Sequence, residues 1–231
     1  MDRQFLTIVV PVFNEAATIK GVIDKVLTLD FVKEVIVVDD GSTDGTGKVL
    51  KETKFEDRVR KFFHETNKGK GAALRTAFKE ATGEVIVVQD ADLEYDPDEL
   101  FELTGPIRKG VADVVYGSRL LGGKPQRVHL FWHKMGNAFL SFLTGLLYNT
   151  TLSDMETGYK VFRRDAIKDI EIRSNDFSVE PELTAKVFKK KLRVYEMPIS
   201  YYGRTYAEGK KISWKHGLGA IWALLKFRLT D

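Results

Sequence analysis

The chain has 231 residues, 43% of them apolar, and a formal net charge of +3. That length buries one sizeable core, and so small a charge, without an Arg-rich tract or zinc-ligand spacing, gives no electrostatic footprint for nucleic acid. Cysteine is absent, which excludes disulfides and thiol chemistry, and no run of about 18 consecutive apolar residues is present, the length a spanning helix needs.

In chain order, Leu6 to Val10 is a short apolar run expected to form a buried strand. Pro11-Val-Phe-Asn-Glu15 breaks it. Ile19, Val22, Ile23, Val26 and Leu27 then recur at helical spacing within 16–29. Val35 to Val38 is a second strand, closing on Asp39-Asp-Gly-Ser-Thr-Asp-Gly-Thr46, whose glycines and small hydroxyl residues allow a tight turn before a helix over about 47–53. Residues 59–64 form a weaker third strand. Asn67-Lys-Gly-Lys-Gly71 leads into a helix carrying Leu74, Ala77 and Phe78. Val85 to Val88 is a fourth strand, Asp96-Pro-Asp98 starts one helix through Leu100, Leu103 and Ile107, and Asp113 to Tyr116 is a fifth strand.

Strands alternating with helices argue for a mainly parallel sheet covered on both faces. Ligands of such sheets lie outside the carboxyl ends of the strands, where Asn14, Glu15, Asp39, Asp40, Asp90, Asp92 and Arg119 all fall. Asp90, Asp92 and Glu94 follow the most apolar strand at alternating positions. In an extended segment, side chains two apart point the same way, so the three carboxylates are expected to converge. Converged acids repel unless a hard cation sits among them, and Mg2+ or Mn2+ suits a few carboxylates plus substrate phosphates. The bland alternative is a solvated acidic turn.

After Arg119 the alternation stops. A loop over 122–127 precedes a strongly apolar helical stretch, Val128 to Tyr148, whose aromatic and leucine residues exceed one buried stripe. A membrane-interface helix or an oligomer contact would use that surplus. Ser153 to Gly158 is a polar turn before a strand over Tyr159 to Phe162. Glu180-Pro-Glu182 opens a helix, Leu192 to Tyr201 is extended, 203–211 is a glycine-flanked basic loop, and Trp214 to Leu229 is a closing amphipathic helix. No linker separates the halves.

With these segments in place, the chain resembles family-two glycosyltransferases of the GT-A fold. Within them it is most similar to the branch of dolichyl-phosphate mannose and glucose synthases and bacterial polyprenyl-phosphate sugar transferases. The matching residues are Val10 to Glu15, Val38 to Thr46, Asn67 to Gly71, Asp90 to Glu94, Gly117-Ser-Arg119, Asp154 to Tyr159, and Arg204 with Lys210. The resemblance implies a single α/β domain over 1–231: a nucleotide-sugar-binding half (1–119) and an acceptor-side half (120–231) with the 203–211 loop as a basic lid. It assigns Pro11, Phe13, Glu15, Asp39, Asp40, Asp90, Ala91, Arg204 and Lys210 to a UDP- or GDP-hexose, and Asp90, Asp92 and Glu94 to the divalent cation. Asp92, Arg119 and Arg204 are the expected catalytic residues, and Arg119, Arg127 and His133 the contacts to an acceptor phosphate. The implied reaction is inverting transfer of a hexose to a polyprenyl phosphate, by a cytoplasmic protein associated peripherally with the membrane, with a homo-oligomer left open. A phosphate monoester is mostly ionised at neutral pH, so this acceptor needs no general base. Transfer to a glycan or small-molecule hydroxyl is the alternative; it needs a base, and Asp154, Glu180 or Glu182 could supply one. A non-catalytic nucleotide-sugar sensor is a third reading.

Overall fold

The computed structural model describes residues 3–128, 131–205 and 214–230. Seven strands form one sheet: β1 (Leu6–Val12), β2 (Val32–Asp39), β3 (Val59–Phe63), β4 (Val85–Val88), β5 (Val114–Ser118), β6 (Lys160–Arg163) and β7 (Val194–Pro198). Their order is β3-β2-β1-β4-β6-β5-β7. β1 pairs in parallel with β2 and β4, β2 with β3, and β5 with β7, whereas β6 is antiparallel to both neighbours. The sheet is thus mainly parallel, as the alternation of elements requires. The addition is β6, which returns from the second half and wedges between β4 and β5.

The β-branched runs of β1, β2 and β4 are buried because helices cover both faces. One face packs on α1 (Ile19–Leu27), α2 (Thr46–Glu52) and two short helices, α4 (Leu100–Leu103) and α5 (Gly105–Arg108). The other packs on α3 (Lys70–Glu80), α6 (Phe131–Tyr148), α7 (Arg164–Ile167), α8 (Val179–Lys189) and α9 (Trp214–Leu229). The single helix expected through Leu100 and Ile107 is instead a 3-10 turn (Pro97–Glu99) followed by α4 and α5. Gly105 and Pro106 interrupt it, since proline has no N–H for the preceding turn.

Two helices leave apolar side chains uncovered. On α6, Met135, Phe139, Phe142 and Leu146 are exposed, and on α9, Leu218, Trp222, Leu225 and Leu229. Both sets step by four, three and four residues, the spacing of one helical face. The helices are joined where the Tyr148 hydroxyl donates to the Leu224 carbonyl at 2.6 Å. Among the described residues, no helix is long and apolar enough to cross a membrane.

Candidate active site

Every cluster of charged residues that the sequence placed at strand ends does meet at the carboxyl edge of the sheet, but the side chains divide the space differently. The segment after β4 is a turn, not an extension, with Leu93 in the left-handed region at φ 60°. The alternation of Asp90, Asp92 and Glu94 therefore does not close a three-carboxylate cage, and among the described residues no three acidic or histidine side chains converge in that way. Glu94 turns toward the chain beyond β7, accepting from the Arg204 backbone N–H at 2.7 Å and the Tyr201 hydroxyl at 2.8 Å. Asp90 pairs with Lys70 at 2.9 Å. Asp92 meets Arg204 at 3.1 Å, and the same guanidinium holds Glu15 at 3.1 and 3.2 Å.

Arg204 thus gathers Glu15, Asp92 and Glu94, residues far apart in sequence. Burial pushes the Asp92 carboxyl up to about 7, and repulsion from Asp90 and Glu94 adds to it against the pull of Arg204. The excess of acid fits a divalent cation. Asp90 and Asp92 are hard oxygen donors, each still partly open to solvent, and one or two carboxylates plus phosphate oxygens are what Mg2+ takes.

The first two strand ends behave as clamps. Asp40 is buried, with its carboxylate accepting from the Lys68 and Gly69 backbone at 2.6–3.2 Å and bonded to His64 Nδ1 at 2.6 Å. It holds the 67–69 turn. Asp39, also buried, accepts from the Ser42 N–H at 3.1 Å. The buried Ala91 offers its carbonyl to the Thr18 hydroxyl at 2.6 Å, while Pro11 and Phe13 are half-buried at the end of β1.

Across the cleft, Arg119 lies flat on Asp154. Its Nε and Nη2 donate to the two oxygens at 2.8 and 2.7 Å, and its backbone N–H adds a third bond at 2.8 Å. Asn137 Nδ2, on α6, donates to the same carboxylate at 2.7 Å. Burial opposes ionisation of Asp154, yet Arg119 outweighs it and holds the carboxyl below its usual range. His133 is half-buried one helical turn before Asn137 and shares its face. Arg127 is exposed and donates to the Gly203 carbonyl at 3.1 Å, anchoring the start of the 203–211 loop. Lys210 lies outside the described residues, as does the 206–211 part of that loop.

The sequence reading gave no role to Lys70, yet it bridges the two sides. Its Nζ contacts Asp90 and Glu180 at 2.9 Å each, and Lys160 completes a buried set with Glu180. Burial would lower the Lys70 ammonium, but the two carboxylates override it and raise it. The signal was the Gly69-Lys-Gly71 spacing: Gly69 has φ 94°, and an added Cβ at either glycine would overlap the Asn175 or Ser174 carbonyl. The close crossing of those backbones delivers Lys70 to the site at the first turn of α3. Gly158 plays the matching part opposite, where a Cβ would overlap the Asp90 carboxylate.

A doubly covered, mainly parallel sheet with an acidic pair beyond its central strand is the arrangement of the GT-A fold. The chain belongs to glycosyl transferase family 2, whose family model matches residues 7–171. It is similar to the UDP-N-acetylglucosamine–dolichyl-phosphate N-acetylglucosaminyltransferase of Methanococcus voltae, 28% identical over 99% of this chain and 98% of that one. It is similar too to the undecaprenyl-phosphate mannosyltransferase of Micrococcus luteus, 29% identical over 96% of this chain and 97% of that one. Other curated relatives are longer, and the chain spans 52% of one and 33% of another. Among solved structures, glucosyl-3-phosphoglycerate synthase from Mycobacterium tuberculosis, in complex with Mn2+, UDP-glucose and phosphoglyceric acid, superposes with a TM-score of 0.77. At 22% identity over 97% of this chain and 80% of that one, the likeness is one of fold.

Proposed function

We propose that the protein transfers a sugar from a nucleoside-diphosphate sugar to a polyprenyl phosphate at a membrane surface, with inversion at the anomeric carbon. The observation that carries this reading is the double role of α6. Its inner flank places Asn137 on Asp154, the partner of Arg119, while its outer flank exposes Phe139, Phe142 and Leu146. A polar site and an uncovered apolar face on one helix suit an acceptor with a phosphate head and a hydrocarbon tail. The parallel apolar stripe on α9 widens that face. The two full-length relatives, named for dolichyl and undecaprenyl phosphate, support the same acceptor class.

The residues divide the work as follows. Pro11, Phe13 and Glu15 border the nucleotide, and Asp39 and Asp40 fix the turns around it. Asp90 and Asp92 would hold a divalent cation, which when bound neutralises charge growing on the departing diphosphate. Arg204 releases Glu15 and Asp92 to take part in the same neutralisation, joined by Lys210 from the basic loop. Arg119, oriented by Asp154, faces the incoming phosphate, with His133 and Arg127 on its approach.

Attack by a phosphate oxygen needs no base, and the three bases named from the sequence, Asp154, Glu180 and Glu182, are already engaged. Burial acts against ionised Asp154 and Glu180, but Arg119 in one case and Lys160 with Lys70 in the other hold both carboxyls low. Glu182 accepts from the Arg173 and Ser174 backbone and from Lys186, each at 2.7 Å. None of these three is placed to serve a hydroxyl acceptor. The test is a panel of UDP- and GDP-sugars offered with a short polyprenyl phosphate and Mg2+ or Mn2+, products identified by mass. A sugar phosphodiester is the expected product; transfer only to free hydroxyls, or donor binding without turnover, overturns the reading.

A further inference from the structure

Among the described residues, four buried side-chain polar atoms have no hydrogen-bond partner: Asn137 Oδ1, Glu156 Oε1, Thr157 Oγ1 and Arg204 Nε. All four belong to this one cleft. A buried polar atom left unpaired is destabilising, so their confinement to a single place calls for a ligand rather than for chance.

The place is defined by its neighbours. Asp154, one end of the 154–158 turn, carries Arg119 and Asn137. At the other end Gly158 abuts the Asp90 carboxylate and donates its N–H to the Tyr95 hydroxyl at 2.9 Å. Glu156 and Thr157 lie between. The charges acting on Glu156 are Lys160 and Glu180 from the diphosphate side, Arg119 and Asp154 from the acceptor side.

The orphaned atoms also state what chemistry they lack. Asn137 uses its Nδ2 on a carboxylate that can only accept, which fixes its Oδ1 as an acceptor. Glu156 Oε1 is an acceptor when ionised, and the Thr157 hydroxyl can accept or donate. A diphosphate or an acceptor phosphate brings oxygens without hydrogens; it could take the Arg204 Nε–H but cannot satisfy Asn137 Oδ1 or an ionised Glu156. A pyranose ring brings several O–H donors.

We infer that Glu156 and Thr157, with Asn137 opposite, form the pocket that reads the hydroxyls of the transferred sugar. This rests on the proposed nucleotide-sugar reaction and adds the residues that select among its donors. Glu156 carries the larger share, because in its ionised form it accepts through the stronger, charge-assisted kind of hydrogen bond.

The experiment is calorimetric titration of the whole chain, with Mn2+ present, against UDP, UDP-glucose, UDP-N-acetylglucosamine, GDP and GDP-mannose. Wild type, Glu156→Gln and Thr157→Val are compared, with thermal melts to verify folding. Glu156→Gln is expected to weaken the preferred sugar nucleotide about tenfold or more, and Thr157→Val about two- to tenfold. Affinity for the matching nucleoside diphosphate stays within about twofold of wild type in both. Monodeoxy forms of the preferred donor then locate the contact: one position should weaken wild type and leave Glu156→Gln insensitive. Equal losses for sugar nucleotide and diphosphate, or no loss for either, overturn the sugar pocket while leaving the transferase reading intact. Failure of wild type to bind any of the five ligands overturns that reading, and this one with it.

Discussion

The floor of the cleft and the outer face of α6 and α9 belong to the same seven-stranded sheet and its covering helices and follow opposite rules. In the floor, Asp154 and Lys160 are 0% exposed, and each is held by a partner of opposite charge. On the outer face, Phe142 and Trp222 are 69% and 68% exposed and are covered by nothing in the described chain. Unpaired buried charge and uncovered aromatic surface are both unfavourable. The fold removes the first liability internally and leaves the second to the environment. That contrast suits the proposed reaction between a water-soluble donor and a lipid-borne acceptor.

The sharpest break in the contrast is Asp92→Asn, which should cut transfer by at least about a hundredfold, since the lost cation stabilisation is several kcal/mol. Its stability should not suffer. Asp92 is pushed up to about 7 by burial first and by Asp90 and Glu94 second, so the native state keeps a proton that the unfolded chain has released above about pH 4. Between about pH 4 and 7 the metal-free protein therefore loses stability as pH rises. Glu156, also pushed up to about 7 by burial, gives a slope of the same sign. Melting curves without metal from pH 5 to 8 should fall for wild type and fall less steeply for Asp92→Asn. An equal slope in both would remove Asp92 as its source.

The sequence made some of this cleft legible and hid the rest for physical reasons. A β-branched run ending in acids can be read at Val85 to Asp92 because strand burial and strand-end chemistry are local. Where the carboxylates point is not local: after the left-handed Leu93, Glu94 accepts from the backbone N–H of Arg204, 110 residues on, whose guanidinium also meets Asp92. The wedge of β6 between β4 and β5 is likewise a product of packing across the two halves. Lys70 was hidden because its two partners, Asp90 and Glu180, come from different elements, and only the crossing at Gly69 and Gly71 brings them together. The α6 surplus could be counted from composition. The matching stripe on α9 could not be told from core until α8 was seen beneath it.

A smaller effect on turnover but a larger one on folding is expected at Lys70. Lys70→Met leaves Asp90 and the buried Glu180 without one of their cations, and breaking such a pair costs about 3–5 kcal/mol. For a chain of this length that is a fall of roughly 6–20 °C in melting temperature. Adding Glu180→Gln should recover part of it, because the uncompensated charge and not the missing bond carries most of the cost. A single variant that melts with wild type would mean that solvent reaches the pair, and the floor would lose its status as a closed polar network.

The smallest effect on stability is expected where the two rules meet on neighbouring residues of one helix. Leu140, 7% exposed, packs against the sheet, and Leu140→Ala should cost about 2–5 kcal/mol through the cavity it leaves. Phe139 and Phe142 flank it and face outward at 55% and 69% exposure, so Phe139→Ser with Phe142→Ser should change stability by only about 0.5 kcal/mol for each residue. The same double variant should nevertheless lose binding to vesicles, since each large side chain buried fully in an interface contributes about 1.5–3 kcal/mol. Flotation with vesicles containing anionic lipid separates the two effects, and assays with a long-chain and a water-soluble acceptor phosphate extend the separation to turnover. The variant should stop floating and slow with the long-chain acceptor while keeping its rate on the soluble one, because its polar floor is untouched. Loss of both rates with a lowered melting point would place these phenylalanines in the core. Unchanged flotation would shift the lipid contact to the Leu218, Trp222, Leu225 and Leu229 stripe of α9, which is open to the same substitution.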